Sequence, residues 1–320
     1  MVYGHNILWY FLLDIQDKLF LYFSQPKGML HQIQVCIRFR NRMWPEEIVG
    51  DRVKYLMDHK EENIRLDFKT DPEAVRKQAI WCGSKPGMRV LDAGCGPGIT
   101  TSILHDMVQP GGAAVGVDYS EDRIRYAKEH YGSDSNINFH VHDLRSNFNG
   151  LGRFDLIWAR FVLEYNRVES RDIVKNLAGL LNPGGYLCLL DLDHNCLNHY
   201  ELPPQMAELL HRLMMRLDDE YNFDTYAGRK LYSYLYDLGL EGIQMDLVPH
   251  HLFYGETNDK DIFNWTKKAE VAAAKLGDLF SGYPGGNEAF FEEFERFLHD
   301  PRRFTYTSLI LCKGRNPVEG

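Results

Sequence analysis

The sequence predicts an α/β fold: a doubly wound, mostly parallel sheet of seven strands carrying a helical cap. Three observations predict it. Short apolar runs alternate with helix-period segments from residue 72 to residue 193. A turn with three glycines, VLDAGCGPGIT (Val90–Thr100), joins the first such run to a helix. After Asp193 the alternation gives way to long amphipathic helices interrupted by two more strand-like runs.

The elements follow in order. Pro72 to Cys82 has helical spacing, with Asp71 as its N-cap and GSKPG as its end. Arg89 to Asp92 is the first strand, Ile99 to Met107 a helix and Ala113 to Asp118 the second strand. Ser120 caps the next helix, which runs through Tyr131. INFHVHD and FDLIWAR are the third and fourth strands, a helix covers about Ser170 to Leu181, and YLCLLDLD after NPGG is the fifth strand. Strands this short and apolar belong to a sheet covered on both faces. Beyond Asp193, Pro203 to Tyr221 and Arg229 to Leu238 are helices, and IQMDLVPHHLFY and FTYTSLILCKG are the last two strands. The helical excursion from Asn258 to Leu298 is too long for an ordinary connection and is read, with the helix after Pro203, as a cap over one end of the sheet. The expected organisation is an N-terminal extension (1–42), a helical segment (43–84), a ligand-binding core (85–193) and a C-terminal half of the sheet (194–320) whose cap covers about 200–225 and 256–300.

Composition narrows the function classes. The chain has 320 residues, is 44% hydrophobic and carries a formal net charge of -9, a poor match to a phosphate backbone, so no nucleic-acid partner is expected. Six cysteines (Cys36, Cys82, Cys95, Cys188, Cys196, Cys312) form no C-x-x-C pair and read as reduced thiols of a cytoplasmic protein without structural zinc. Ile7 to Phe23 is apolar but interrupted by Asp14, Gln16, Asp17 and Lys18, too broken for a membrane helix, and it lacks the flanks of a secretory signal. No membrane partner is expected, and the first ~40 residues read as lying outside the working domain.

The glycine turn carries the chemistry. In an open parallel sheet, ligands lie beyond the carboxyl ends of the strands where strand order reverses. Gly94, Gly96 and Gly98 permit a tight turn and close backbone approach, and Asp118, ending the second strand, suits the hydroxyls of a ribose. The dinucleotide pattern G-x-G-x-x-G would need a small residue where Ile99 stands. What stands there is Asp92-x-Gly94-x-Gly96-x-Gly98. A carboxylate before the first glycine repels a pyrophosphate but suits a cationic or zwitterionic ligand, which points to S-adenosylmethionine.

These motifs resemble the class I S-adenosylmethionine-dependent methyltransferases, with a Rossmann-like sheet. VLDAGCGPG is similar to the family's first motif, GVDYS to its second and HVHDL to its adenine-side motif; FDLIWARFVLEY and LNPGGYL follow in family order. The resemblance implies S-adenosyl-L-methionine as cofactor, held by Asp92, Gly94, Cys95, Gly96, Gly98, Asp118, Tyr119, His142, Asp143, Leu144, Arg160 and Phe161. Arg160 departs from the small polar residue common at that position: it suits the methionine carboxylate, a brace for Glu164 or the substrate. Arg65 and Phe68 are candidates to close over the cofactor.

Methyl transfer requires chiefly an acceptor held in line with an already electrophilic methyl group. A base matters when the acceptor must lose a proton: Glu164 and Tyr165 after the fourth strand and Asp193, His194 and His199 after the fifth are in reach, with Glu164, His194 and His199 the candidates. Asp191, Asp193, Asn195 and His199 also admit a magnesium reading, but the fourth strand ends in Arg160 rather than a further carboxylate, so no metal is expected. His250 and His251 read as structural. The cap is rich in aromatics (Tyr221, Phe223, Tyr226, Tyr232, Tyr234, Tyr236, Phe253, Tyr254, Trp265), and Met214, Met215 and Leu217 read as core or substrate cradle. With no NPPY-type sequence after the fourth strand, a small-molecule acceptor is expected, with oxygen preferred over nitrogen or carbon. Two other readings remain: a non-catalytic S-adenosylmethionine-binding protein whose cap engages a partner, and an NAD-dependent dehydrogenase. The aromatic cap also suits a homo-oligomer surface.

Overall fold

The computed structural model describes residues 66, 70–257 and 259–318. The expectations for 1–42, most of 43–84, Arg65 and Phe68 lie outside the described residues.

The chain enters the sheet through α1 (Pro72–Cys82). Asp71 caps it, its Oδ1 accepting from the N–H groups of Glu73 (3.0 Å) and Ala74 (3.3 Å), and Gly83 closes it in the left-handed region. The alternating part then runs β1 (Arg89–Ala93), α2 (Ile99–Val108), β2 (Ala113–Asp118), α3 (Glu121–Tyr131), β3 (Ile137–Val141), β4 (Phe154–Arg160), a 3₁₀ turn (Leu163–Tyr165), α4 (Ser170–Ala178) and β5 (Leu181–Asp193). The remainder comprises β6 (His199–Tyr200), α5 (Pro204–Glu220), a 3₁₀ turn (Gly228–Lys230), α6 (Leu231–Asp237), β7 (Glu241–Tyr254), α7 (Asp259–Lys275), α8 (Gly277–Ser281), α9 (Gly286–His299) and β8 (Phe304–Arg315).

The strands lie in the order β3-β2-β1-β4-β5-β8, with β7 beyond β8; the pairs through β5 are parallel, and β8 runs antiparallel to both neighbours. The sheet is doubly wound and mostly parallel, but has eight strands rather than seven. The eighth is the two-residue β6, which resumes the edge of β5 and pairs with Phe304 and Thr305 after an irregular loop. No periodicity marks a strand that short. The NPGG segment also differs from expectation: α4 ends at Ala178 and β5 already begins at Leu181, with a register shift opposite Phe154 and Leu156. The bulge absorbs the glycines without breaking the strand.

Both faces of the sheet are covered. Val75, Ala79 and Cys82 of α1 and Ile103, Leu104 and Val108 of α2 pack with Val90, Leu156 and Trp158 on one face; Ile173, Val174 and Leu177 of α4 and Leu231 and Leu235 of α6 pack with Leu91, Ile157 and Leu187 on the other. This burial explains the nearly unbroken apolar runs of β1 and β4. Helices α5, α7, α8 and α9 form a second core of their own around Leu213, Leu217, Trp265, Phe280, Phe290 and Phe294. On α5 the buried positions 206, 209, 210, 213, 214 and 217 make one helical stripe. Met215 falls off that stripe and is exposed, a correction to its expected place in the cradle. Among the described residues no helix is long and apolar enough to cross a membrane.

Candidate active site

Strand order reverses between β1 and β4, where Ala93, the last residue of β1, is the register partner of Ala159, the penultimate residue of β4. The glycine turn after β1 and the segment Arg160–Tyr165 after β4 therefore lie side by side at the switch point.

The three glycines have different occupations. Each has a left-handed φ (78° at Gly94, 55° at Gly96, 99° at Gly98), which favours glycine at all three. A Cβ on Gly94 would stand 2.5 Å from Cγ2 of Val162, and one on Gly98 would stand 2.8 Å from the Ala127 Cβ and 3.1 Å from the Phe139 ring. Those two glycines make room for protein. Only at Gly96 is the neighbourhood open, the nearest atom being Leu66 Cδ1 at 3.8 Å. Of the three, Gly96 is thus the one whose missing side chain leaves open space.

Asp118 ties the turn to β2. Its Oδ2 accepts from the Gly96 N–H (3.0 Å), its Oδ1 from the Ser120 N–H (2.9 Å), and the buried Arg123 guanidinium lies 3.7 Å away. Its backbone carbonyl accepts from the His142 N–H (2.9 Å), so the turn, Asp118 and His142 are one connected unit. A carboxylate accepts about four hydrogen bonds, so Asp118 keeps capacity beyond its two N–H donors. Tyr119, beside it, is partly exposed, with Arg123 over its ring. Cys95 is buried, and burial pushes its thiol well above the ordinary range, which fits a loop filler rather than a nucleophile. Asp143 forms an ion pair with Arg145, whose hydrogen bonds hold the carboxyl below its ordinary value. Leu144 is buried against the core.

Asp92 accepts from Thr101 Oγ1 at 2.7 Å and so braces the start of α2. Burial raises its carboxyl from 3.8 to about 7, against the opposing pull of Thr101 and Arg160. The unfolded chain releases this proton near pH 4 and the folded chain near 7. Between those values the folded state carries the extra proton, so Asp92's contribution to stability falls as pH rises. His199 acts oppositely: burial lowers it from 6.5 to about 4, and its contribution is lost as pH falls through that window. The two slopes oppose each other in the wild type. Asp92→Asn, which can still accept from Thr101, is expected to gain stability relative to wild type from pH 4 to 8, by on the order of 2–4 kcal/mol. Urea midpoints at pH 5 and 8 measure this; an unchanged gap would refute the raised carboxyl.

Arg160, half-buried at the end of β4, donates from Nε to Gln78 Oε1 (3.1 Å) and lies over the Phe161 ring. Burial lowers it to about 10, with the charges of Asp92, Asp191 and Glu164 opposing. It thus feels both Asp92, which precedes the glycine turn, and the carboxylates Glu164 and Asp191.

Of those carboxylates, Glu164 borders a cavity of about 970 Å³, mouth included. Its floor is Phe161, Glu164, Tyr165, Leu192, Asn195 and Cys196; α5, α7, α8 and α9 supply a largely apolar roof. Glu164 is buried, and its Oε2 accepts from Asn195 Nδ2 (3.1 Å). The turn that carries it is pinned by Asp191, whose Oδ2 accepts from the Leu163 N–H (2.8 Å) and whose Oδ1 accepts from the Leu192 N–H (3.2 Å). Burial and the neighbouring Glu164 charge push Asp191 well above its ordinary value. Phe161, Cys196 and His251, all lining the cavity, have left-handed φ of 58°, 59° and 52°. Non-glycine residues held there concentrate at functional sites.

The two histidine candidates lie outside this lining. His199 has both ring nitrogens engaged, Nδ1 with Thr305 Oγ1 and Nε2 with the Cys196 carbonyl, each at 3.0 Å, while His194 Nδ1 meets Asn198 Oδ1 at 2.6 Å. His250 and His251, expected to be structural, do line it. Of the cap aromatics, Phe223 and Trp265 line the cavity, whereas Tyr232, Tyr236 and Tyr254 are exposed. Asp193 is paired with Arg229 (2.7 Å), and among the described residues no group of three or more His, Cys, Asp or Glu is placed to hold a metal ion. Gln78, Val162 and Lys268 join the site only through the fold. Phe290 and Phe294, spaced i, i+4, carried a readable signal for an inward face.

A doubly wound sheet with a glycine turn and an acidic β2 end at its switch point defines a nucleoside-cofactor-binding class, and comparison with known proteins sharpens it. Residues 84–239 match the family described as a methyltransferase domain. Together with the motif order, this gives residues 84–239 a methyltransferase domain similar to those of the class I S-adenosylmethionine-dependent enzymes. A ubiquinone biosynthesis O-methyltransferase of Coxiella burnetii is 36% identical over 110 residues, 34% of this chain and 45% of that protein. A demethylmenaquinone methyltransferase of Lactococcus lactis is 27% identical over 148 residues, 45% of this chain and 58% of that protein. The chain thus spans about half the length of the curated relatives it matches. The crystal structure of the YcgJ protein of Bacillus subtilis shares the fold, with a TM-score of 0.52 and 19% identity over 78% of this chain and all of that one.

Proposed function

We propose that this protein transfers a methyl group from S-adenosylmethionine to the hydroxyl of a small, largely apolar molecule. The observation that carries the reading is the pairing of an open Gly96 backbone cradle with a neighbouring apolar cavity that presents one buried carboxylate, Glu164. Both curated relatives are named for quinones, whose flat apolar bodies suit such a cavity.

The residues fit the cofactor. Gly96 leaves room where a side chain would intrude, and Asp118 has acceptor capacity for ribose hydroxyls. Asp92, Gly94, Cys95, Gly98, Tyr119, His142, Asp143, Leu144, Arg160 and Phe161 complete the assigned shell within 85–193. The bound cofactor supplies a methyl group made electrophilic by its sulfonium. The chain's part is to exclude water, hold the acceptor against the floor and take its proton. Glu164 is the group we assign to the proton, because its carboxylate, unlike His194 and His199, borders the cavity.

Calorimetric titration with S-adenosylhomocysteine, with NAD as control, tests the cofactor assignment. Asp118→Ala should weaken binding of S-adenosylhomocysteine by about 1–3 kcal/mol. It should also lower the unfolding midpoint, because the Gly96 and Ser120 N–H groups lose their acceptor and Arg123 its counter-charge. Binding of NAD instead, or undiminished binding by a folded variant, would overturn the assignment.

A further inference from the structure

Among the described residues lining the cavity, the only fixed charges are Glu164 on the floor and Lys268 on α7. They are differently provided for. Glu164 accepts from the Asn195 amide. Lys268 is half-buried, and among the described residues its partner is the face of Trp265, with Nζ 4.9 Å from the ring centroid. Its neighbours on α7 point elsewhere: Lys267 pairs with Glu270 at 2.9 Å, and Lys275 lies over Tyr221. No carboxylate among the described residues lies within ion-pairing distance of Lys268. A half-buried ammonium beside alanines and aromatics gives up hydration that a ring face only partly replaces. Its charge bears on Cys196 and His199, and Cys196 also feels Glu164, so Cys196 lies within the field of both charges.

We propose that Lys268 is a specificity residue, and that the acceptor is an amphipathic molecule with a flat apolar body and one anionic group of the carboxylate or sulfonate kind. The anion rests on the Lys268 ammonium beneath the cap, the body lies against Phe223, Phe290 and Phe294, and the hydroxyl to be methylated faces Glu164. The ammonium supplies the charge-assisted hydrogen bond that the apolar roof cannot, and neutral analogues leave it unpaired. Discrimination arises from that bond, which a neutral analogue cannot form. This inference deepens the proposed methyltransferase reading and rests on the same cavity.

The test uses two fluorescent probes of nearly equal shape, anionic 8-anilinonaphthalene-1-sulfonate and neutral N-phenyl-1-naphthylamine, titrated into the full chain. The sulfonate probe is expected to bind the wild type more tightly. Lys268→Met should weaken it about 10- to 100-fold while leaving the neutral probe within about twofold. Lys268→Arg should restore anion binding, and Ala269→Phe, which narrows the cavity, should abolish the signal of both probes. Equal affinities in the wild type, indifference to Lys268→Met, or binding that survives Ala269→Phe would overturn the proposal. S-adenosylhomocysteine affinity, measured on the same variants, keeps the two readings apart. If it is retained while anion selectivity is missing, the Lys268 assignment alone falls; if it is absent from the wild type, the cofactor reading fails instead.

Discussion

Glu164→Gln is expected to lower kcat for a hydroxyl acceptor by about 10²- to 10⁴-fold while leaving S-adenosylhomocysteine affinity unchanged. The substitution keeps the side chain's size and an oxygen for the Asn195 amide, but removes the proton acceptor that borders the cavity. The glycine turn is held by different groups, Asp118 and the backbone of β2, so it should not register the change. Single-turnover methyl transfer at saturating acceptor, beside calorimetry, separates the two quantities. Retained kcat would remove Glu164 from the chemistry and leave positioning of the acceptor as the whole contribution of the floor. His199→Gln is the companion variant: with both imidazole nitrogens already engaged by Thr305 and the Cys196 carbonyl, its loss should appear chiefly in stability.

The three glycines should fail in different ways. Gly94→Ala drives a methyl group to 2.5 Å from Val162, and Gly98→Ala drives one to 2.8 Å from Ala127. Each adds left-handed strain to overpacking, and each is expected to cost about 2–4 kcal/mol of folding stability. Gly96→Ala meets nothing closer than Leu66 at 3.8 Å, so its folding cost should be the strain alone, about 1–2 kcal/mol. Its larger effect should be on the cofactor, through a methyl group in the cradle and a displaced N–H donor to Asp118. Unfolding midpoints and S-adenosylhomocysteine titrations on the three variants form the test. Equal loss of affinity at 94, 96 and 98 without loss of stability would mean that all three glycines face the ligand.

The order and type of elements were largely legible because local periodicity and caps encode them. Asp71 and Ser120 cap the helices they precede, and β1, β2, β3 and β4 fall where apolar runs placed them. The misses share one cause. The two residues of β6 are a strand only because β8 lies beside them, and the glycines of LNPGG are absorbed by a bulge that pairing with β4 holds in place. Cap aromatics were legible as apolar but not as inward or outward, so exposed Tyr232 and Tyr236 read the same as buried Phe223 and Trp265.

The sequence by itself determined the sheet, the glycine turn and its acidic β2 partner, because each is a local pattern whose backbone demands are written in neighbouring residues. Tertiary structure alone decided which glycine faces open space, which acid borders the cavity and which lysine lines it. Val162 stands 68 residues after Gly94, and Asn195 stands 31 after Glu164. Packing and pairing across such separations are set by how helices and strands meet. One-dimensional spacing carries the identity of each group but not its neighbour.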